Sequence, residues 1–181
     1  EVIGVAIDSA THNQWDSLIA AGERFPDAVV VNPASLTLPA GPAEKPTNLE
    51  LDPHGAAELA RFTAAGMRDR GLTGAIVYLI EIERANPAAA ASAYLEATMK
   101  QLAAEVASNG IRVNAIATGH VAVNRRDHVV SSRIAPLGHS SLHPVEIGKA
   151  VWFLINEDLS GGITGAVLRV DRGASLSRPE W

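Results

Sequence analysis

The stretch Asn109-Gly110-Ile111-Arg112-Val113-Asn114-Ala115-Ile116-Ala117-Thr118-Gly119 decides the fold. Asn109-Gly110 reads as a helix stop, because glycine takes the left-handed conformation that closes a helix without a Cβ penalty. Ile111 to Ile116 follows as a mostly apolar run, the signature of a strand buried in a parallel sheet. Upstream, Pro87 opens an Ala-rich segment that ends Leu102-Ala103-Ala104-Glu105 and predicts a helix to about Ser108. A long helix running straight into a buried strand is the building unit of an α/β sheet.

The same alternation continues outward. Val2 to Ile7, Ala28 to Val31 and Gly74 to Ile80 are further apolar runs read as buried strands, and Gly165 to Val170 is the last. Trp15, Leu18 and Ile19 recur at helical spacing, which predicts a helix over Gln14 to Arg24. Helices are also expected over Pro53 to Arg70 and Pro144 to Asn156. Pro33 to Pro46 holds four of the ten prolines and is read as a loop, and Gly119 to Leu142 as a long irregular segment. The expected architecture is α/β, a Rossmann-like three-layer fold. Its parallel sheet has about five strands with right-handed crossovers, and residues 1–181 form one shortened domain.

Composition narrows the function. Of the 181 residues, 47% are hydrophobic and 19% charged, which suits an ordinary globular domain. The net charge of −5, without a basic stripe, argues against nucleic acid as a partner. The absence of cysteine excludes a disulfide framework, thiolate metal sites and a thiol nucleophile, and fits a reducing compartment such as the cytoplasm. No apolar run reaches membrane-spanning length and no signal peptide is visible.

Further sequence features fall in a fixed order. Asp27-Ala28-Val29-Val30-Val31-Asn32-Pro33-Ala34-Ser35 comes first. After the central stretch come Pro136-Leu137-Gly138, Val151-Trp152-Phe153-Leu154, Ile163-Thr164-Gly165 and Val170-Asp171-Arg172-Gly173. In order and spacing this series resembles the short-chain dehydrogenase/reductase family over residues 27 to 177. Val170-Asp171-Arg172-Gly173 stands where the family has Val-Asp-Gly-Gly, and Pro33 and Ser35 depart from its Asn-Asn-Ala-Gly.

The resemblance implies a catalytic Tyr-x-x-x-Lys pair on the long helix, with a Ser after the preceding strand and an Asn one helix earlier. Counting back from Leu102-Ala103-Ala104-Glu105, the Tyr position is Ala88 and the Lys position Ser92. The Ser position falls near Glu81 and the Asn position at Asp52. Neither alanine nor serine replaces a phenol tuned by an ammonium. On the cofactor side, the loop Asp8-Ser9-Ala10-Thr11-His12-Asn13 has no glycine where the family's Gly-rich loop approaches a pyrophosphate. The remaining positions that resemble NAD(P) contacts are Asp8, Asn32, Thr118, Gly119 and Val121.

These changes imply a catalytically inactive family member. It would act as a structural or regulatory subunit, as a homodimer or paired with an active relative. The interface would use the helices near 53–70 and 87–108, the second rich in small alanines. The alternative is an NAD(P)-dependent ketoreductase or dehydrogenase whose missing parts come from another segment or subunit. A second alternative is small-molecule binding in the cleft by Asp52, Glu81 or Asn32. No metal site is expected: His120, His128, His139, His143 and Asp127 read as loop polar groups. Trp15 and Trp152 are expected to pack in the core, Tyr94 to lie on a helix surface, and Arg112 with Arg125 and Arg126 to be a solvated basic cluster. With few strands ahead of Asn32, the face bearing the Pro144–Asn156 helix is expected to keep an apolar surface in need of cover.

Overall fold

A computed structural model describes residues 25–32, 36–38, 47–49, 53–81, 87–121, 135–138 and 141–176. The first strands are β1 (Ala28–Val31), β2 (Leu36–Leu38) and β3 (Thr47–Leu49). Then come α1 (Pro53–Asp69), β4 (Gly74–Glu81), α2 (Pro87–Val106) and β5 (Ile111–Thr118). The last elements are α3 (Pro144–Ile155), the short α4 (Glu157–Ser160) and β6 (Val167–Val170). The main sheet has four described strands in the order β1-β4-β5-β6, every neighbouring pair parallel. The expected strand at Val2 to Ile7 and helix at Gln14 to Arg24 lie outside the described residues.

The central stretch folds as its residues dictate. A short 3₁₀ turn over Ala107–Asn109 follows α2, and Gly110 closes it at φ 71°, a conformation that carries no steric penalty only for glycine. β5 then pairs with β4 along its whole length, from Gly74 opposite Ile111 to Glu81 opposite Thr118.

Two cores sit on the two faces of the sheet. Ile76, Tyr78 and Ile80 of β4 and Ile111, Val113 and Ala115 of β5 point one way, toward α1 and α2. α1 meets them with Ala56, Ala60, Ala64 and Met67, and α2 with Leu95, Met99, Leu102 and Val106. Both sets recur every three or four residues, as one helix face requires, and the alanines bring α1 close to the strands. Val77, Leu79 and Ile116 point the other way and pack with Leu154, Val151 and Leu168. Each fully buried side chain of this size contributes about 2 kcal/mol.

Four expectations need correction. Pro33 to Pro46 is not all loop: β2 pairs antiparallel with β3, from Leu36 opposite Leu49 to Leu38 opposite Thr47. The pairing ends before Pro39 and resumes after Pro46, so the ladder avoids residues that lack an N–H. Right-handed crossovers do not hold throughout. β1, β4, β5 and β6 follow one another in a single direction across the sheet, yet α3 lies on the opposite face from α1 and α2. The β5–α3–β6 crossover therefore has the opposite hand from the two before it. Trp152 is not a core residue, for its side chain is 61% exposed. It lies two residues, about 200° of helix rotation, from the buried Leu154, and so on the outer side of α3. Arg112 is not solvated, as described below.

The α3 face is thinly covered beside β1. Val29 and Val31 belong to the opposite core, so Val30 faces the α3 side, where it is 43% exposed. Among the described residues no helix is long and apolar enough to cross a membrane.

Candidate functional site

Parallel α/β sheets bind ligands outside the carboxyl ends of their strands, where loops carry functional groups on a rigid base. Here the ends of β1, β4, β5 and β6 deliver Asn32, Glu81, Thr118-Gly119-His120 and Asp171 to one edge. Asn32, Glu81 and His120 are exposed there, while Thr118 and Asp171 are buried. Glu81 and Thr118 are register partners, so both side chains leave the sheet on the same face. The Thr118 hydroxyl turns back toward the Ile80 carbonyl at 3.5 Å.

Beyond β5 the backbone is held tightly. The Gly119 N–H donates to the Val170 carbonyl at 3.1 Å, and the His120 carbonyl accepts from the Leu142 N–H at 2.8 Å. A Cβ on Gly119 would stand 3.2 Å from the Asp171 Cβ, so the hydrogen there lets the ends of β5 and β6 lie against each other. Val121 pairs with Leu142 as an isolated parallel bridge.

Asp171 anchors the turn after β6. Its carboxylate accepts the Gly173 and Ser175 N–H groups, both at 2.9 Å. Burial pushes its carboxyl up, but the Ser175 and Gly173 hydrogen bonds outweigh burial and hold it below the usual carboxylate range. The folded state thus prefers the ionised form. Stability from Asp171 is fully present above the unfolded carboxylate value, about 3.9, and is lost as pH falls through the lower folded value. In urea unfolding, wild type is expected to be more stable than Asp171→Asn at neutral pH, with the gap closing below about pH 4. An unchanged gap at low pH would contradict this.

Arg172 follows in a left-handed conformation at φ 54°, where the family motif has glycine. Its Nη2 reaches the two carboxylate oxygens of Glu146 at 2.9 and 2.8 Å. Glu146 also closes a capping box at the start of α3 with His143, whose ring accepts the Val145 N–H at 3.3 Å. His143 is therefore a helix cap, and among the described residues no three His, Cys, Asp or Glu side chains converge for a metal.

The positions singled out in the sequence are only partly brought together. Ser92 and Glu81 meet: the Ser92 hydroxyl donates to the Glu81 backbone carbonyl at 2.8 Å. Ala88 lies in the first turn of α2, one turn before Ser92. Asp8 and Asp52 lie outside the described residues, as do His128, His139, Asp127, Arg125 and Arg126. Tyr94 is 41% exposed, and its hydroxyl lies 3.2 Å from Nδ1 of His54 on α1. Tyr78 is buried in the core, and burial raises its phenol well above the ordinary range, so it offers no proton to the edge.

Two things were missed. His120 was read only as a loop histidine, although it follows Gly119 directly at a strand end. Arg112 is committed to α3: Nη1 donates to the Leu154 carbonyl at 2.7 Å and to both the carbonyl and hydroxyl of Ser160, and Nη2 to the Ile155 carbonyl. A cavity of about 570 Å³ lies at the opposite, amino-terminal edge of the sheet, between Asp27, Arg112, Trp152 and Glu157. It is remote from the polar strand ends.

Residues 44–175 match the family model described as Enoyl-(Acyl carrier protein) reductase. That stretch runs from before α1 to beyond β6. The chain belongs to the short-chain dehydrogenase/reductase family. Within it, the chain is 38% identical over 96 residues to the NADH enoyl-[acyl-carrier-protein] reductase of Nostoc sp., covering 48% of this chain and 36% of that one. To the NADH enzyme of the same description from Synechocystis sp. it is 31% identical over 141 residues, covering 71% of this chain and 53% of that one. It thus spans about half or less of the length of these curated relatives. Among solved short-chain dehydrogenase/reductase structures, acetoin dehydrogenase from Enterobacter cloacae superposes with a TM-score of 0.77 at 26% identity, covering 98% of this chain and 77% of that one. A short-chain dehydrogenase from Leptospira borgpetersenii with bound NAD+ superposes at 0.73 and 21% identity, covering 94% and 74%, a likeness of fold.

Asn32, Glu81 and His120 leave an exposed polar ledge, and the tied-down run from Gly119 to Val121 supplies a rigid rim.

Proposed function

We propose that this chain forms part of an NAD(P)H-dependent reductase of enoyl thioesters, with the crevice at the carboxyl ends of β1, β4 and β5 as its nicotinamide site. The observation that carries this reading is the family match over residues 44–175, laid on a strand-end edge whose backbone is fixed at Gly119, His120 and Val121. Asn32, Thr118, Gly119 and Val121 would line the nicotinamide, and the cofactor would supply the hydride. The relatives' names give the substrate class, an acyl chain carried as a thioester and unsaturated next to the carbonyl.

One observation favours a second reading, a non-catalytic subunit. Ser92 stands at the family's lysine position, and its hydroxyl is engaged by the Glu81 carbonyl. The outer side of α2 also exposes Ala90, Ala93, Ala97 and Ala104, small residues that would let a second helix approach closely. In this reading α1 and α2 pair with a second copy or an active relative.

Titration of the purified chain with NADH and NADPH, at known mass and oligomeric state, separates the readings. The reductase reading expects binding in the micromolar range and cofactor oxidation when a crotonyl thioester is added. Binding without oxidation, or a stable dimer that binds neither nucleotide, would favour the subunit reading and overturn the first.

A further inference from the structure

We infer that His120 is the proton donor of the reduction, a role that the family's helix tyrosine cannot fill in this chain. The inference rests on the reductase reading. Adding a hydride to the β-carbon of an enoyl thioester moves an electron pair onto the thioester carbonyl, and the resulting enolate must take up one proton. The sum is enoyl thioester, reduced nicotinamide and a proton giving acyl thioester and oxidised nicotinamide. An acid within reach of the enolate contributes about 100-fold or more to such a step.

The described carboxyl edge offers few acids. Asn32 does not titrate. Glu81 at the end of β4 is exposed, and a carboxylate at neutral pH only accepts hydrogen bonds. Asp171 at the end of β6 is buried, kept ionised, and occupied by the Gly173 and Ser175 N–H groups. At the start of α3, Glu146 and His143 are tied into the capping box, and Arg172 is bound to Glu146. Tyr94 lies on α2 with its hydroxyl against His54, and Tyr78 is in the core. Among the described residues of that edge His120 is what remains: an exposed imidazole, a ring that can both donate and accept a proton.

Its backbone is fixed on both sides. Gly119 before it is bonded to β6, its own carbonyl is held by Leu142, and Val121 after it is bridged to the same residue. It follows the Glu81–Thr118 pair by two residues, about 7 Å of extended chain.

The test compares wild type with His120→Gln, which keeps size and polarity but has no titrating proton. The first readout needs no turnover. In wild type the His120 ring resonances are expected to shift when NADH is added. The second is the pH profile: wild-type kcat falls tenfold per pH unit as the donor loses its proton, whereas the variant loses that limb and about 100-fold in kcat with KM unchanged. A variant with the wild-type profile, or a His120 ring that ignores NADH, overturns this inference and leaves the reductase reading standing. Wild type that binds no nucleotide, or binds without turnover, overturns both.

Discussion

Arg112→Ala is expected to destabilise the protein by about 3 kcal/mol in urea unfolding, although Arg112 lies on a strand and touches no acidic side chain in the described contacts. The carbonyls at the end of α3 have no partners within the helix, and they carry the negative end of its dipole. The Arg112 guanidinium answers both needs. It donates to Leu154 at 2.7 Å and Ile155 at 3.2 Å, and reaches Ser160 at the end of α4. Ser160 itself donates to the Leu154 carbonyl at 3.0 Å, so in Arg112→Ala that oxygen keeps one bond while the Ile155 carbonyl loses its guanidinium donor. Arg112→Met isolates the guanidinium, because it preserves most of the apolar stem. It is expected to cost nearly as much as alanine. Arg112→Lys is expected to recover about 1 kcal/mol, since a single ammonium cannot reach carbonyls on both sides of the fork. A loss under 1 kcal/mol in Arg112→Met would mean that the charged hydrogen bonds are idle.

Why this role was not legible is instructive. In the chain, Arg112 neighbours only apolar residues, and its partners lie 42 to 48 positions away. Nothing local predicts a strand arginine capping a later helix. Trp152 has a similar history. The spacing around Val151-Trp152-Phe153-Leu154 announces a helix with an apolar face, and α3 forms. In so apolar a run, periodicity leaves ambiguous which residues turn outward, and only the sheet's position selects Leu154 over Trp152. By contrast, the strands from Ala28 onward were legible, because apolar runs between helical segments leave few other folds. The small β2–β3 hairpin was not, since it is confined between prolines that read as loop.

The site divides the same way. Glu81 comes from counting back from Leu102-Ala103-Ala104-Glu105 and Asn32, Thr118 and Gly119 from the family resemblance, and the sheet assembles them on one edge. The meeting of Ser92 with the Glu81 carbonyl needed the crossing of α2 over β4, which sequence order does not contain. His120 was passed over because a histidine in an irregular segment carries no signal until its backbone is seen to be fixed.

Asn114→Ala is expected to cost about 3 kcal/mol, comparable with a large core truncation. Asn114 is 1% exposed in the middle of β5. Its Nδ2 donates to the Ile163 carbonyl at 2.9 Å, and its Oδ1 accepts the Ala166 N–H at 3.0 Å. Both partners belong to the backbone that leads into β6, a segment that must leave α4 and turn to run parallel with β5. Thr164 adds a third tie, its hydroxyl accepting the Val113 N–H at 3.1 Å. Alanine leaves a half-buried carbonyl and a half-buried N–H without their side-chain partner at once, and that penalty exceeds the net value of either hydrogen bond. Asn114→Asp is the sharper test. Aspartate can still accept from Ala166 but sets a carboxylate against the Ile163 carbonyl, so it is expected to be at least as damaging as alanine at neutral pH and to recover on acidification as it gains a proton to donate. Amide exchange at Ala166 and along β6 should accelerate in both variants ahead of β4, because among the described strands β6 is joined to the sheet through β5 alone. Uniform acceleration across β4, β5 and β6 would instead mean that Asn114 stabilises the whole sheet rather than the docking of its last strand.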